Sequence, residues 1–318
     1  MSRVGLVLGG GGITGAAYHL GSLLAIEMAT GWHSSQADVV IGTSCGAFAA
    51  ALLRGGELSI DTLIDGAHDR DEVTERLKSR VYRRSRPRGV VRWLRRGVLP
   101  GLAHPDLRIA VGSPGLYRTD GIADWLDERL GGLADSWPSR PTVIVTYDLE
   151  GRRRVAFGTD EAPDVPLKQA VAASCAVPFV FEPVRIDGRW YADGGMASGT
   201  SADLLLAADE PLDLVIAIAP MAASESRTGA RFYEEAFDRF GRDALALELA
   251  RIKEAWPSTD VVVIRPDHSV LAVTRPNPLS TRAAVPAFLR TLRSLRSQLG
   301  DAETWAILSR HLAGERVG

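Results

Sequence analysis

The chain is short of cysteine, of lysine, of net charge and of any long apolar run, and each shortage excludes something. Only Cys45 and Cys175 occur. Two cysteines cannot build a disulfide framework, and neither has a partner at metal-ligand spacing, which points to a reducing, cytosol-like setting and to small apolar packing roles. His33, His68 and His104 are scattered and form no metal-ligand cluster, so no metal is expected. Lysine is limited to Lys78, Lys168 and Lys253 while arginine is abundant, a bias of GC-rich genomes that says nothing about function. A net charge of -2 over 318 residues removes the basic footprint that nucleic-acid binding requires. The apolar run Leu214 to Ala223 contains Pro220 and is far shorter than the roughly 20 residues that span a bilayer. With 46% hydrophobic and 24% charged residues, the chain suits one large folded core.

The first thirty residues imitate a secretory signal, with Arg3, an apolar stretch and the small pair Ala16 and Ala17. Gly9, Gly10, Gly11, Gly12 and Gly15 break that stretch, however, and suit a loop of the mature protein. Val4 to Leu8 reads as a strand, the glycines as a loop and Ala16 to Ala29 as a helix. A second unit follows: strand Asp38 to Ile41, turn Gly42 to Gly46, helix Ala47 to Leu53. Two successive βα units predict a mainly parallel central sheet between helical layers, a three-layer α/β/α fold.

Further on, Thr142 to Tyr147 pairs in a hairpin with Arg153 to Phe157, and Leu167 to Ala176 reads as a helix. Val184 to Ile186 and Arg189 to Ala192 flank the Asp187-Gly188 turn, which leaves Asp193 just past a strand end. Leu214 to Ala219 and Val261 to Ile264 are the last strands, and one or two helices fill Phe232 to Trp256. No repeat or linker divides the chain, so residues 1–318 are expected to form one domain. An arginine-rich helical or lid-like insertion falls at about 61–121, and a helical region starts at about 282.

Gly42-Thr43-Ser44-Cys45-Gly46 between strand and helix has the nucleophile-elbow pattern, in which a sharp turn lifts a serine hydroxyl above the sheet edge. Serine is also a good helix cap, and on its own the string does not separate the two roles. The glycine loop matches a dinucleotide fingerprint in letters, but the acidic residue that should follow a second strand is absent: Glu27 falls inside the first helix. No Lys-Ser or Lys-Thr closes it as a P-loop. Such a loop instead turns several backbone N–H groups toward one point at a helix N-terminus, which suits a developing oxyanion. An α/β-hydrolase order would need a histidine after the acid, and only His268 and His311 lie beyond Asp193, neither in a strand-end motif.

The glycine loop, the Gly42 to Gly46 turn and Asp193-Gly194-Gly195, in that order, together with Ala170 to Ser174, Pro178, Pro183 and Tyr191 to Gly195, resemble the signatures of patatin-like phospholipases over residues 4 to 220. The resemblance implies a Ser-Asp dyad without histidine. Ser44 is then the nucleophile and Asp193 its base. The N–H groups of Gly10, Gly11 and Gly12, helped by Cys45, form the oxyanion hole, with Gly15, Gly42, Gly46, Gly194 and Gly195 supporting the motifs. It implies hydrolysis of lipid acyl esters through an acyl-enzyme and requires no cofactor. Two positions depart from the family: Thr14 stands where Arg or Lys is common, and Ser198-Gly199-Thr200-Ser201-Ala202-Asp203 replaces an Asn-Pro continuation. A catalytically silent lipid-binding protein of the same fold is the alternative that Thr14 keeps open.

Lys78, Arg80, Arg83, Arg84, Arg86, Arg88, Arg92, Arg95 and Arg96 alternate with Val81, Tyr82, Val90, Val91, Trp93 and Leu94. Two accounts fit this run. Its arginines can pair with Asp69, Asp71, Glu72 and Glu75 on a solvated face, the usual fate of charge runs. Alternatively, Arg80 to Arg96 makes peripheral contact with an anionic membrane. A cytoplasmic protein that visits such a surface is the corresponding expectation.

Overall fold

The computed structural model describes residues 2–85, 90–99, 112–225, 229–275 and 277–312. The chain opens with strand β1 (Val4–Leu8), helix α1 (Gly12–Thr30), β2 (Val39–Thr43) and α2 (Cys45–Arg54). Then come α3 (Ile60–Ile64), α4 (Arg70–Val81), β3 (Arg83–Arg84), α5 (Val90–Trp93) with a π turn at Leu94–Val98, β4 (Tyr117–Arg118) and α6 (Asp120–Leu130). The central sheet resumes with β5 (Thr142–Asp148), β6 (Arg153–Phe157), α7 (Leu167–Ser174), β7 (Val184–Ile186) and β8 (Arg189–Asp193). β9 (Leu214–Ile218), α8 (Phe232–Ala255), β10 (Asp260–Ile264), α9 (His268–Thr274), α10 (Ala284–Leu299) and α11 (Ala302–Leu312) complete it.

The fold is three-layer α/β/α. Strand order is β10-β9-β1-β2-β5-β8-β7, with β6 on the other edge of β5. The five strands from β10 to β5 run parallel, and β6, β7 and β8 supply the antiparallel pairings. β1 and β9 are buried along their whole length, as continuous apolar strands covered on both faces must be. Alternate residues feed different cores. Leu6, Leu8, Val40 and Ile144 pack toward α1, α2 and α10, whereas Val7, Ile41, Val145 and Val215 pack toward Leu245, Ile252 and Trp256 at or beside α8.

One register detail places the site. β2 pairs with the first half of β5, up to Thr43 opposite Val145, and β8 pairs with the second half, with Asp193 opposite Thr146. β6 covers Ile144 to Asp148, overlapping both, so β2 and β8 must share the opposite edge of β5. They therefore run head to head and end at neighbouring residues.

Among the elements that differ from the sequence reading are α1 and α9. α1 begins at Gly12, four residues before Ala16, because a tertiary bond from Thr14 N–H to Pro278 O (3.0 Å) holds its first turn, which also closes locally from Gly15 N–H to Gly11 O (3.0 Å), against glycine's poor helix propensity. α9, capped by the Asp267 carboxylate, was not expected at all, being too short to show a helical period.

In the segment at 61–121, α4 is capped by the Asp69 side chain on the N–H groups of Asp71 and Glu72. Arg76 pairs with Glu72 and Lys78 with Glu75, as a solvated face would. Arg80 binds Asp65 and Glu128 instead, and Arg83 binds Asp124, partners supplied by α6 and by the turn after α3. Arg86 and Arg88 lie outside the described residues, as do the side chains of Arg92 and Arg96. The neighbouring Val90, Val91, Leu94 and Leu99 face solvent. Among the described residues no helix is long and apolar enough to cross a membrane.

Candidate active site

Ser44 sits between β2 and α2 with φ 56° and ψ −123°, a backbone state that costs a non-glycine residue energy and persists only where its surroundings enforce it. Gly42 and Gly46 make the turn sterically feasible. A Cβ on Gly46 would stand 1.9 Å from the Leu8 carbonyl oxygen, and one on Gly42 2.6 Å from the Ala47 Cα. The serine hydroxyl does not cap the helix. The Asp193 carboxylate accepts from Gly195 N–H at 2.7 Å, and the neighbouring Ser44 hydroxyl favours its charged form. Ser44 and Asp193 are each about 5% exposed.

Burial has a chemical consequence. Desolvation raises Asp193 from 3.8 to about 6, against the lowering effect of the Ser44 hydroxyl and of the Gly195 N–H. A solvated aspartate is too weak a base near neutrality, and this environment removes most of that deficit.

The end of α7 ties the two side chains together, which motif reasoning did not foresee. Ser44 N–H donates to Ser174 Oγ (2.8 Å), whose hydroxyl donates to Val145 O (2.6 Å). The Cys175 thiol lies 3.2 Å from Ser44 O, and Asp193 N–H donates to Ala176 O (3.0 Å). Three consecutive residues thus hold the Ser44 backbone from one side and the Asp193 backbone from the other. The signal was present in the Ala170 to Ser174 stretch, but nothing in its spacing reveals these bonds.

Ser44, Asp193, Gly10, Gly11, Gly12 and Gly195 border one cleft of about 410 Å3. Gly10 corrects one expectation. Its N–H donates to Gly199 O at 2.7 Å and is therefore taken, so it does not serve as an oxyanion donor. Gly12, with φ 65°, is the first residue of α1, and Cys45 is the first of α2, so neither amide has an acceptor within its helix. The Cys45 sulfur lies beside them, its thiol 3.7 Å from Gly9 O. Gly15 packs against that sulfur and Gly194 against the Val145 carbonyl, both as supports.

Other titratable groups are accounted for. Burial, then the nearby Asp193 carboxylate, push the Cys45 and Cys175 thiols up, so neither is a thiolate nucleophile. His19 is fully buried, its Nε2 2.6 Å from Gly9 O, and desolvation lowers it to about 4. It is a neutral structural group, and no histidine is among the described residues that border the cleft. The Ser198 to Ala202 run, which departs from the family pattern, is anchored by the buried carboxylate of Glu248 on α8. That group accepts from the Ser198 hydroxyl, from Thr200 Oγ1 (2.6 Å) and from Ala202 N–H (2.8 Å). Gly199 inside this run in turn fixes Gly10.

Comparison with known proteins shows the family. The patatin-like phospholipase profile matches residues 6–206, and the chain belongs to that family. Uncharacterized NTE family proteins of Mycobacterium bovis and Mycobacterium tuberculosis are 28% identical over 215 residues, covering 64% of this chain. The chain spans about half the length of these relatives, 48%. VipD from Legionella pneumophila aligns over 98% of this chain and 67% of its own, at 14% identity and a TM-score of 0.42.

Proposed function

We propose that the chain hydrolyses carboxylic ester bonds of lipids through a Ser44-Asp193 dyad. The observation behind this reading is a strained serine and a buried aspartate of raised pKa, brought together where β2 and β8 end on β5 and bordering one cleft. Ser44 Oγ attacks the ester carbonyl carbon and its proton passes to Asp193. The oxyanion is held by the N–H groups of Gly11, Gly12 and Cys45, each such donor being worth about 3 kcal/mol in the transition state. As the intermediate collapses, the C–O bond to the alcohol breaks and Asp193 returns the proton to the departing oxygen. Water then attacks the acyl-serine, Asp193 takes its proton, and the acid leaves as Ser44 regains its hydrogen. Thr14 is buried with its hydroxyl unpartnered, and the dyad is complete without a basic residue there.

Fluorophosphonate labelling with p-nitrophenyl ester turnover tests the chemistry. Wild type labels, while Ser44→Ala does not and loses roughly 10³-fold or more in kcat/KM. Turnover by Ser44→Ala at the wild-type rate would remove the dyad from the mechanism and leave the silent lipid-binding protein as the better reading.

Contact with a lipid surface is part of the same proposal. Val91 and Leu99 are 63% and 62% exposed, and Trp93 meets Phe179 edge-on at 5.7 Å, a residue that borders the cleft. Exposed Phe237 and Phe240 border it as well. Apolar side chains around a cleft mouth suit shallow insertion among lipid headgroups. Flotation with anionic vesicles is expected to carry the wild type upward and Val91→Asp/Leu94→Asp several-fold less; equal flotation of both would discard this surface.

A further inference from the structure

Ser44 borders two cavities, and they differ in chemistry. The 410 Å3 cleft contains Asp193 and the glycine loop. The second cavity, about 110 Å3, lies among α1, α2, α4 and α6, with Ala16, Phe48, Leu52, Leu77, Ile122 and Trp125 in its walls. Asp193 is not one of its lining residues. Most of these walls are fixed: Leu52, Leu77, Ile122 and Trp125 are buried, and Phe48 packs on Trp125 with ring centroids 4.8 Å apart. The Arg80 guanidinium lies 5.4 Å from the centre of the Trp125 ring and is itself held by Asp65.

Resting on the dyad reading above, we infer that the helix-lined cavity is the acyl site and the cleft takes the alcohol portion of the ester. The proton decides the assignment. Asp193 must hand it to the departing alcohol oxygen and later take one from the attacking water, so both must lie on the Asp193 side of Ser44. The acyl chain is left with the other cavity, whose apolar walls suit it. Size then sets the substrate class. An apolar cavity of about 150 Å3 takes a benzene molecule, so this one takes an acyl chain of about four to six carbons. The preferred substrates are therefore esters of short fatty acids with large, partly apolar alcohols.

Two ester series test this. In the first, straight acyl chains from about two to twelve carbons are carried on p-nitrophenol; in the second, one butanoyl group is carried on alcohols of increasing size. Wild-type kcat/KM is expected to rise about fourfold per methylene up to four to six carbons, and to fall at least about tenfold by ten. Leu77→Ala lengthens the preferred acyl chain by about two carbons, and Ala16→Leu shortens it, whereas the alcohol series keeps its order in both. Because the two variants change the cavity in opposite directions, misfolding of one leaves the other to decide. Fluorophosphonate labelling of Ser44 is run alongside. An unlabelled wild type defeats the dyad itself. A labelled wild type whose rate stays level to twelve carbons, or variants that reorder the alcohol series, overturns the acyl-site assignment alone.

Discussion

Residues 6–206 supply both side chains of the proposed dyad, whereas residues 207–312 supply much of what holds the loops around them. Ile218 O accepts from Gly9 N–H, and Pro278 O from Thr14 N–H, which pins the glycine loop at both ends. Glu248 anchors the run that holds Gly10. Arg275, buried and paired with Asp238 at 3.0 Å, also donates to Pro220 O (3.2 Å), and the Pro220 ring packs beside Gly11. The chemistry thus sits in the part the family shares, while the positioning of its amides depends on a part outside the matched range. Substitutions in one region should lower the rate greatly without loss of stability, and those in the other should lower stability with smaller effects on the rate.

Asp193→Asn should show the sharpest contrast. It is expected to lower kcat/KM by about 10³-fold or more, from loss of the base. It should also stabilise the fold at about pH 8: the folded carboxyl titrates near 6 and the unfolded one near 3.8, so ionising it in place costs about 3 kcal/mol. A raised folded pKa means that this acid favours folding only below about 3.8 and that the benefit is lost as pH rises through 6, so the difference between variant and wild type should vanish in acid. Urea denaturation at both pH values measures it. The same group predicts a wild-type kcat/KM that falls tenfold per pH unit below about 6 and is flat above. A limb centred near 4 would mean that burial does not tune the base.

Glu248→Ala comes next. It strands two buried hydroxyls and one N–H, each costing about 1–3 kcal/mol, so stability should drop by about 4 kcal/mol. Activity of the folded fraction should fall about tenfold as Gly199 releases Gly10. Arg275→Met leaves Asp238 buried without its cation, for about 3 kcal/mol, with only a few-fold loss in kcat through the Pro220 contact. Rates that fall as far as in Asp193→Asn would erase the contrast between the regions.

The placement of Ser44 in a strained turn and of Asp193 at a strand end was legible because Gly42, Gly46 and the Asp193-Gly194 turn are local signatures: each states a steric requirement within five residues. The parallel strands were legible for a similar reason, since burial on both faces writes a continuous apolar run. Ser174, Glu248 and Arg275 were not, because each acts on partners roughly 30 or more residues away, and a polar residue in a helical segment looks the same whether it faces water or a buried loop. The Gly10 error has the same root. Composition shows that a loop can aim its amides, and only Gly199, brought alongside by the fold, shows which amide is already occupied.

The meeting of β2 and β8 on one edge of β5 has a consequence for how this protein can change. Ser44 and Asp193 are 149 positions apart along the chain, yet their approach is gauged by the single peptide unit joining Val145 to Thr146. Segments looping out between β2 and β5 can lengthen, shorten or be exchanged without altering that gauge. A graft into the 61–121 stretch can therefore restyle what reaches the reacting pair while the pair itself keeps its distance.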